Sequence, residues 1–589
     1  MQKLVDFYTQ NVRQYLDEYH RVRNRLRALS FSRLFLFSGT IFAIYLLRNN
    51  IEWAVAASVI GMSLFLFFVR YYEDTKIKFR TIHALVKINE VELRVLEHDF
   101  GNLPTGEEFL DAEHEYGHDM DLFGHGSFFQ YLNRTKLSEG KVALAELLTS
   151  NEIDSIAAKQ ETIDELAQIP EWRQRFSAKA SLMENEVAIN AVNRWLRTYK
   201  TFVSKHFRWI PSSFLVVTLS LAAGIYWSNW PHQFLLLWIL MGLGITAKYY
   251  SKILKLSQKA DKVKATFKQH SELLKTIENT AFKAPQLRFQ KQRLQKTQRT
   301  ASEAIRVFSG LLNTMDYNNN IFYLIFGNGC FLGALLTAYK IEVWIKKHHE
   351  DVSNWFEVIA FFEAYNSLAN FSFNHPLYSY PSLTDRPNLL TCSQLGHPLI
   401  PEHKNVRNDF DIHDEQFFII TGSNMAGKST FLRSVGLCVI MANLGLPVYA
   451  KSCVYSPRKL VTSMRSIDSL YKGDSYFFSE LKRLKKVIEK VEAEAYFVLL
   501  DEILKGTNSH DKAEGSKKFL ARLVKAGATG LIATHDLSLC DSANAFKNVF
   551  NYHLDATIEN DNLSFDYKLK TGVSKTMNAS FLLKKMDLI

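Results

Sequence analysis

The sequence of 589 residues contains few cysteines and few prolines. Its five cysteines form no C-x-x-C pair, which argues against a disulfide framework or a zinc ribbon and predicts reduced, cytosolic thiols. Twelve prolines among 47% apolar residues exclude a wholly disordered or collagen-like chain. At about 150 residues per domain, we expect roughly four domain-sized folded units.

Acidic residues are outnumbered, with 60 Asp or Glu against 71 Lys or Arg and a formal net charge of +11. Residues 248–299 contain 14 Lys or Arg and three acidic residues, so this predicted helical tract accounts for the whole excess. Such a tract suits the phosphates of lipid headgroups or of DNA, and its simplest interpretation is a solvated helix face beside a membrane exit. Net charge alone does not choose between a membrane and a nucleic acid.

Two stretches are more apolar than a soluble helix requires, and each has the pattern of a hairpin of two membrane spans. The first covers residues 34–69 and the second residues 209–247. Lys and Arg flank both hairpins and are nearly absent from their turns, so the positive-inside rule places the long ends in the cytoplasm. We therefore predict a multi-pass protein of the inner (cytoplasmic) membrane. The alternative is two buried core hairpins in a large helical protein.

A third apolar run covers residues 321–339 and contains Asn328 among several glycines and alanines. We interpret it as a buried core helix. The alternative is a fifth span, and an odd number of spans would place the C-terminal domain outside the cytoplasm.

A phosphate-binding loop is predicted between a buried strand at 417–421 and a helix that begins near Phe431. This context fits the G-x-x-x-x-G-K-[ST] motif, in which backbone N–H groups surround a phosphate. Lys428, a predicted catalytic residue, is expected to contact the β- and γ-phosphates of ATP, and Ser429 to bind Mg²⁺. The predicted ATP-binding residues are Gly422, Ser423, Asn424, Met425, Ala426, Gly427, Lys428, Ser429 and Thr430.

Two further strands are predicted to end beside this loop, because parallel strands present their carboxyl ends at one edge of a sheet. Residues 496–500 are followed by Asp501 and Glu502, and residues 531–534 deliver His535. Asp501 is expected to complete the Mg²⁺ ligands. Glu502 is expected to orient or deprotonate the attacking water, and His535 to sense the γ-phosphate, so both are predicted catalytic residues.

These motifs resemble those of the MutS family of mismatch-repair ATPases. TGSNMAGKSTFLRSVG (421–436) is similar to the family's Walker A segment, although Ser and Ala replace its usual Pro and Gly, and DEILKGTNSHD (501–511) is similar to its Walker B segment. GDSYFFSELKRL (473–484), ATH (533–535) and FDYKLKTG (565–572) complete an ordered series of five matches. The resemblance implies an enzyme that hydrolyses ATP to ADP and phosphate with Mg²⁺.

The same resemblance implies a homodimer through the ATPase domains and binding of DNA, mismatched or branched, in mismatch repair or a related process. It places Ser475 in the loop that reaches the γ-phosphate bound by the partner, although Asp474 and Tyr476 differ from the family's Arg and Thr. The family's N-terminal mismatch-reading domain is not discernible, and the second hairpin lies where a DNA clamp is expected. The alternatives are an ABC-like motor or an ATP-dependent membrane tether with no DNA role.

His114-Glu115-Tyr116-Gly117-His118 matches the H-E-x-x-H zinc motif. Zinc proteases need both histidines on one face of a helix and a third ligand, and Gly117 weakens a helix here. We therefore interpret the match as a coincidence.

The predicted fold class is α plus α/β, with a helical core or lever region, two membrane hairpins and a C-terminal P-loop NTPase domain of MutS or ABC type. After residue 385, short apolar runs alternate with helices, which is typical of a parallel α/β domain. The predicted segments are a basic N-terminal helix (1–33), hairpin 1 (34–69), a helical connector (70–116), core helices (117–205), hairpin 2 (206–249), Lys-rich helices (250–320), returning core helices (321–384) and the ATPase domain (385–589).

Overall fold

Helices precede strands along this chain. The computed structural model describes residues 2–183, 189–295, 300–317, 320–385, 388–423, 425–465, 476–559 and 562–574. Within these ranges the chain is helical up to Asn374 and then forms two sheets with flanking helices. The α plus α/β class is confirmed at this level, and the individual domain boundaries stay predictions.

Two very long helices form the first hairpin. α1 (Gln2–Leu46) and α2 (Ile51–Leu96) contain 45 and 46 residues, so each is about 68 Å long at about 1.5 Å per residue. The halves nearest the turn expose apolar side chains, whereas the far halves bury Tyr8, Ile82 and Leu85. The predicted spans are therefore parts of helices that continue into the folded core.

The second hairpin consists of α8 (Ile210–Ser228) and α9 (His232–Glu278). α9 passes without a break from its apolar half into the Lys-rich half. The helices of both hairpins are long and apolar enough to cross a membrane, and the most apolar window of each is at most 17% buried. This exposure disagrees with the alternative interpretation of buried core hairpins.

The apolar run at 321–339 is not one buried helix, so that prediction is wrong for its first half. A π-helical turn (Tyr323–Gly327) leads into α12 (Asn328–Phe331), and a bend of 74° at Leu332 separates these from α13 (Gly333–His348). Phe322 is 71% exposed, whereas α13 is largely buried. The apolar composition of this run thus predicted burial correctly for α13, which neighbouring helices cover, and incorrectly for Phe322 and the residues beside it.

The long α14 and several shorter helices form the core. They are α3 (Phe128–Leu132), α4 (Ser138–Thr149), α5 (Ile156–Ala167), α6 (Pro170–Ala180), α7 (Ile189–Thr198), α10 (Pro285–Arg293), α11 (Ala301–Asp316) and α14 (Asp351–Asn374). A buried ion pair attaches α2 to this core, because Arg134 Nε lies 2.6 Å from Glu92 Oε1. Asn374 Nδ2 donates to the same carboxylate and Tyr8 Oη donates to Asn374 Oδ1, so both helices of hairpin 1 are tied to α14.

The C-terminal part contains ten strands among its described residues. They are β1 (Ser382–Leu383), β2 (Asn388–Leu395), β3 (Asn408–His413), β4 (Phe417–Gly422), β5 (Ser452–Tyr455), β6 (Lys459–Ser463), β7 (Tyr496–Asp501), β8 (Thr529–Ala533), β9 (Val549–Glu559) and β10 (Asn562–Thr571). The larger sheet has the order β10-β9-β4-β8-β7-β6 and is parallel except for β10. The smaller sheet has the order β1-β5-β2-β3.

The register of the larger sheet brings three predicted segments to one edge. Ile420 of β4 and Asp501 of β7 both lie opposite Ala533 of β8. The residues that follow these positions therefore leave the sheet side by side. The flanking helices are α15 (Lys428–Asn443), α16 (Tyr476–Ala493), α17 (Ser509–Lys525) and α18 (Ser542–Ala545).

Candidate functional site

The glycine-rich loop joins β4 to α15 and needs two glycines for its path. Gly422 and Gly427 have φ angles of 144° and 89°, which L-residues with side chains rarely adopt. A Cβ atom on Gly422 would lie 2.3 Å from the carbonyl oxygen of Leu554 on β9. α15 begins at Lys428, slightly earlier than predicted, so its N-terminal N–H groups face the loop.

Lys428 is folded back onto the loop that it follows. Its Nζ donates to the carbonyl oxygens of Gly422 at 2.8 Å and Ser423 at 2.9 Å, and lies 3.2 Å from His535 Nε2. Burial lowers the pKa of Lys428 to about 8, and the nearby carboxylates of Glu502 and Asp501 oppose this shift. Phosphate oxygens would be better partners for this ammonium group than two neutral carbonyl oxygens.

Ser429 and Asp501 form the second pair in the site. The Ser429 hydroxyl donates a short hydrogen bond to Asp501 Oδ2. Burial raises the pKa of Asp501, because a carboxylate withdrawn from water is stabilised poorly without a cation. A hydroxyl oxygen and a carboxylate oxygen at hydrogen-bond distance are hard ligands of the type that Mg²⁺ prefers, so these residues fit the predicted ion.

Glu502 and His535 form the third pair. Glu502 Oε1 lies 2.6 Å from His535 Nε2, and Oε2 lies 3.6 Å from Lys505 Nζ. The His535 hydrogen bond lowers the pKa of Glu502 to about 2, so the carboxylate is ionised at neutral pH. Glu502 has a positive φ of 49°, and its N–H donates to the carbonyl oxygen of Ala533. The end of β7 is thus held in a conformation that points this carboxylate across the edge of the sheet.

The remaining predicted loop residues differ in their surroundings. Ala426 is buried, Met425 and Thr430 are exposed, and the Ser423 hydroxyl is buried without a hydrogen-bond partner among the described residues. Asn424 and Ser475 lie outside the described residues.

Sequence reasoning missed Tyr567 as a site residue, although it lies within the quoted FDYKLKTG segment. A Cβ atom on Gly427 would lie 2.9 Å from Cδ1 of the Tyr567 ring, so this ring packs against the phosphate-binding loop. Asn408 fixes the strand that carries it, because Asn408 Nδ2 donates to the carbonyl of Tyr567 and Oδ1 accepts from Leu569 N. An exposed aromatic face beside the loop is suited to stack on a nucleobase.

Asp119 was also missed, and it joins the helical part of the chain to the NTPase domain. Its fully buried carboxylate accepts hydrogen bonds from Thr462 Oγ1 at 2.6 Å, Arg465 N at 2.9 Å and Arg483 Nη2 at 2.6 Å. Arg433 on α15 donates to the Asp119 backbone carbonyl. Asp119, which precedes α3, therefore contacts β6, α16 and α15, the helix that follows the phosphate-binding loop.

The H-E-x-x-H segment forms turns and not a helix. The Nδ1 atom of His114 accepts from the backbone N–H of Gly117, and its Nε2 lies 3.0 Å from the carbonyl oxygen of Thr149. The Glu115 carboxylate is paired with Lys490. The segment therefore does not present its two histidines on one face of a helix, as the zinc motif requires.

The affinity for ATP is expected to fall as the pH rises through about 8, the pKa of Lys428 in the free protein. Bound phosphates favour the ammonium form, so the folded, free protein must take up a proton above this pH in order to bind. The Kd should then rise up to about tenfold per pH unit. Calorimetric titration with ATP between about pH 7 and pH 9.5 measures this dependence.

Lys428→Arg provides the matched control, because a guanidinium group stays charged across this range. Its Kd should change less with pH than that of the unsubstituted protein. An equal pH dependence for the two proteins would contradict the assignment to Lys428.

The central strand β4 leads through the glycine-rich loop directly into α15, which is the strand–loop–helix unit of the P-loop NTPases. Residues 418–584 match the sequence model of the family described as MutS domain V. The C-terminal part of the chain is therefore similar to MutS domain V, which is the ATPase region of the MutS family.

Three relatives named DNA mismatch repair protein MutS show the extent of the similarity. The protein of Thermotoga neapolitana is 32% identical over 234 residues, covering 39% of this chain and 29% of the relative. That of Methanococcoides burtonii is 32% identical over 246 residues (40% and 27%), and that of Aquifex pyrophilus is 34% identical over 184 residues (30% and 21%). The matched region thus spans less than a third of these relatives.

Proposed function

We propose that this protein is a membrane-anchored, MutS-like ATPase that hydrolyses ATP to ADP and phosphate in a Mg²⁺-dependent reaction. The observation that carries the proposal is the convergence of Lys428, Asp501, Glu502 and His535 at one edge of a parallel sheet, beside a glycine-rich loop. Purified protein should release phosphate from ATP with Mg²⁺ and lose this activity in EDTA. Equal release by the Lys428→Ala variant would contradict the proposal.

In the first step the loop exchanges its internal contacts for contacts with the nucleotide. Lys428 leaves the carbonyl oxygens of Gly422 and Ser423 for phosphate oxygens, and the N–H groups at the start of α15 add donors. Ser429 and Asp501 would hold Mg²⁺, which neutralises phosphate charge when bound. The Tyr567 ring would stack on the base of the nucleotide.

In the second step Glu502 positions the attacking water and accepts its proton. A carboxylate bound to His535 is a weak base, because that hydrogen bond holds its pKa near 2. Glu502 must therefore exchange His535 for the water, which frees the imidazole to contact the γ-phosphate. The contact between His535 and Lys428 links this exchange to the arrival of phosphate.

Dimerisation through the ATPase domains is part of the proposal, with Ser475 of each chain completing the partner's site. The Asp119 contacts support a route from the site to the helical region, because they connect α15 and β6 to the first core residues. ATP binding would close the dimer, and hydrolysis would release it.

We further propose that hairpins 34–69 and 209–247 cross the inner (cytoplasmic) membrane and leave the ATPase domain in the cytoplasm. The support is the exposure of four long apolar helices, with Lys and Arg at their long ends. Extensive exposed apolar surface on a chain of this kind needs a lipid or protein partner.

The bent segment at 321–331 is proposed as a re-entrant element and not a fifth span. α11 before it and α13 after it pack on each other, because the rings of Phe308 and Trp344 stack at 3.9 Å and Trp344 Nε1 donates to the Ala304 carbonyl. The chain therefore returns to the side from which it came. An even number of spans places the C-terminal domain on the same side of the membrane as the N-terminus.

Contacts with hairpin 2 support the re-entrant path. A Cβ atom on Gly242 of α9 would lie 2.6 Å from the carbonyl oxygen of Gly329, so the two backbones touch. Thr218 Oγ1 of α8 donates to the carbonyl of Cys330, and Asn328 Oδ1 accepts from Ala334 N at the bend. Backbone groups freed by a break at membrane depth need such partners within the protein.

Extraction of membranes with alkaline carbonate should leave this protein in the pellet. Leu219→Arg places a charge near the centre of α8, where insertion costs about 3 kcal/mol, and should lower the retained fraction. Val142→Arg is the matched control, because Val142 is an exposed apolar residue of the core helix α4. Release of the unsubstituted protein, or equal effects of the two substitutions, would contradict the membrane assignment.

DNA binding is the second function proposed, since the curated relatives are named DNA mismatch repair proteins. The Lys-rich tract gives it limited support, because Lys264 pairs with Asp316 and Arg293 with Glu357. Lys248, Lys252, Lys255 and Lys259 are exposed on one face of α9 at the membrane exit, a position that suits anionic lipid headgroups. This arrangement favours the alternative of an ATP-dependent membrane tether.

A salt titration of binding to perfect, mismatched and branched duplexes separates these functions. Retention that falls with salt and differs between duplexes would support a repair role. No retention at low salt would exclude DNA binding and leave the tether.

A further inference from the structure

Three of the five cysteines lie together in the ATPase domain, away from the nucleotide site. Cys392, Cys438 and Cys453 are at most 3% exposed, and their sulfur atoms all lie within 4.8 Å of one another. The Sγ atom of Cys392 is 3.3 Å from that of Cys453 and 3.9 Å from that of Cys438. Among the described residues this is the one group of His, Cys, Asp and Glu with such spacing.

Three separate elements bring the thiols together. Cys392 on β2 and Cys453 on β5 are directly opposite each other in an antiparallel pair, so their side chains share a face of the smaller sheet. Cys438 on α15 points at this face from above, ten residues after Lys428 in the sequence. No local motif reveals the cluster, because its members are 46 and 15 residues apart in the sequence.

The separations fit a single metal ion. With metal–sulfur bonds of about 2.3 Å, neighbouring sulfurs lie about 3.8 Å apart in tetrahedral geometry and about 4.0 Å apart in trigonal geometry. The Cys392–Cys438 distance of 3.9 Å matches these values and the Cys392–Cys453 distance of 3.3 Å is shorter, so small rotations of the side chains would complete the site. Burial excludes competing water, and sulfur ligands select soft ions over Mg²⁺.

Among the described residues, no further His, Cys, Asp or Glu side chain joins the cluster. The nearby Tyr455 hydroxyl is already engaged, since it donates to Asn443 Oδ1. The three sulfurs are thus the available ligands, and they suit an ion that accepts three thiolates or adds one small exogenous ligand.

We propose that Cys392, Cys438 and Cys453 bind one thiophilic d¹⁰ metal ion, either Zn²⁺ or Cu⁺, with release of the thiol protons. The bound ion would link α15, the helix that follows the phosphate-binding loop, to the smaller sheet. It would therefore act as a structural clamp on α15, and no step of ATP hydrolysis would pass through it.

The test uses the full chain in detergent under reducing, metal-free conditions, titrated separately with Zn²⁺ and with Cu⁺. We expect one equivalent of one of these ions to bind, with sulfur-to-metal charge-transfer absorption for Cu⁺ or for Cd²⁺ used as the spectroscopic substitute for Zn²⁺. Binding should raise the unfolding temperature and protect three thiols from alkylation. Each of Cys392→Ala, Cys438→Ala and Cys453→Ala should weaken binding at least about 100-fold.

Cys540→Ala is the matched control, because Cys540 is a buried thiol outside the cluster. It should bind the ion as the unsubstituted chain does. If the unsubstituted chain binds neither ion stoichiometrically, the proposal is overturned, even if the cluster variants fail to fold. Equal binding by folded cluster variants would also overturn it. Neither readout depends on ATP turnover, so this test and that of the ATPase can fail separately.

Discussion

Replacing Glu502 by Gln is expected to lower the kcat of ATP hydrolysis by about 100- to 1000-fold while ATP binding changes little. The amide keeps the size of the side chain and loses the ability to accept a proton from water. The Glu502 carboxylate is ionised at neutral pH, because its hydrogen bond with His535 lowers its pKa to about 2. Phosphate release and nucleotide retention, measured on the same preparation, separate catalysis from binding.

Glu514→Gln is the control for this substitution. Glu514 lies on α17 and pairs with Lys518 on the exposed face of that helix, so its change should leave kcat within a factor of two. A Glu502→Gln variant with unchanged turnover would remove Glu502 from the mechanism and leave a protein that binds ATP without the proposed base.

Replacing Asp119 by Ala is expected to destabilise the junction between the helical region and the ATPase domain by about 3–5 kcal/mol. The carboxylate is fully buried, and its loss leaves the Arg483 guanidinium, whose side chain is 16% exposed, without its ion-pair partner. The N–H of Arg465 also loses its acceptor. Hydrogen exchange at residues 462–465 should then be at least about 100-fold faster, because each 1.4 kcal/mol is about tenfold.

Asp121→Ala tests whether burial causes this effect. Asp121 pairs with Arg465 and Arg433, but its own side chain is 37% exposed, so its loss should cost no more than about 1 kcal/mol. Similar exchange rates in the two variants would show that Asp119 does not carry the junction. The Asp119 contacts matter for function because Arg433 on α15 donates to the backbone carbonyl of Asp119.

The nucleotide-binding edge was predictable because its signals are local. A buried strand run, two glycines and a lysine within twelve residues specify the loop and the start of α15. Parallel pairing then places Asp501 and His535 beside it, since residues that end neighbouring parallel strands share an edge. The MutS resemblance came from the order of such segments, and the family match at 418–584 agrees with it.

Other features depend on contacts between distant residues, which periodicity does not encode. The bend at Leu332 is stabilised by contacts with α8 and α9 and by the Asn328 side chain. Because these contacts are not encoded locally, apolar composition alone predicts one straight helix here. Asp119 gains its partners some 340 residues later in the chain, and Tyr567 reaches the loop through β10. The apolar runs indicated spans, but only the structure shows helices of 45 residues or more that continue into the core.

The most direct test of a membrane-anchored ATPase is phosphate release by the full chain in liposomes after flotation through a density gradient. We expect protein and Mg²⁺-dependent turnover to rise together with the lipid, and Lys428→Ala to float equally well without turnover. Protein that stays at the bottom of the gradient, or floated protein with no more turnover than Lys428→Ala, would contradict this expectation.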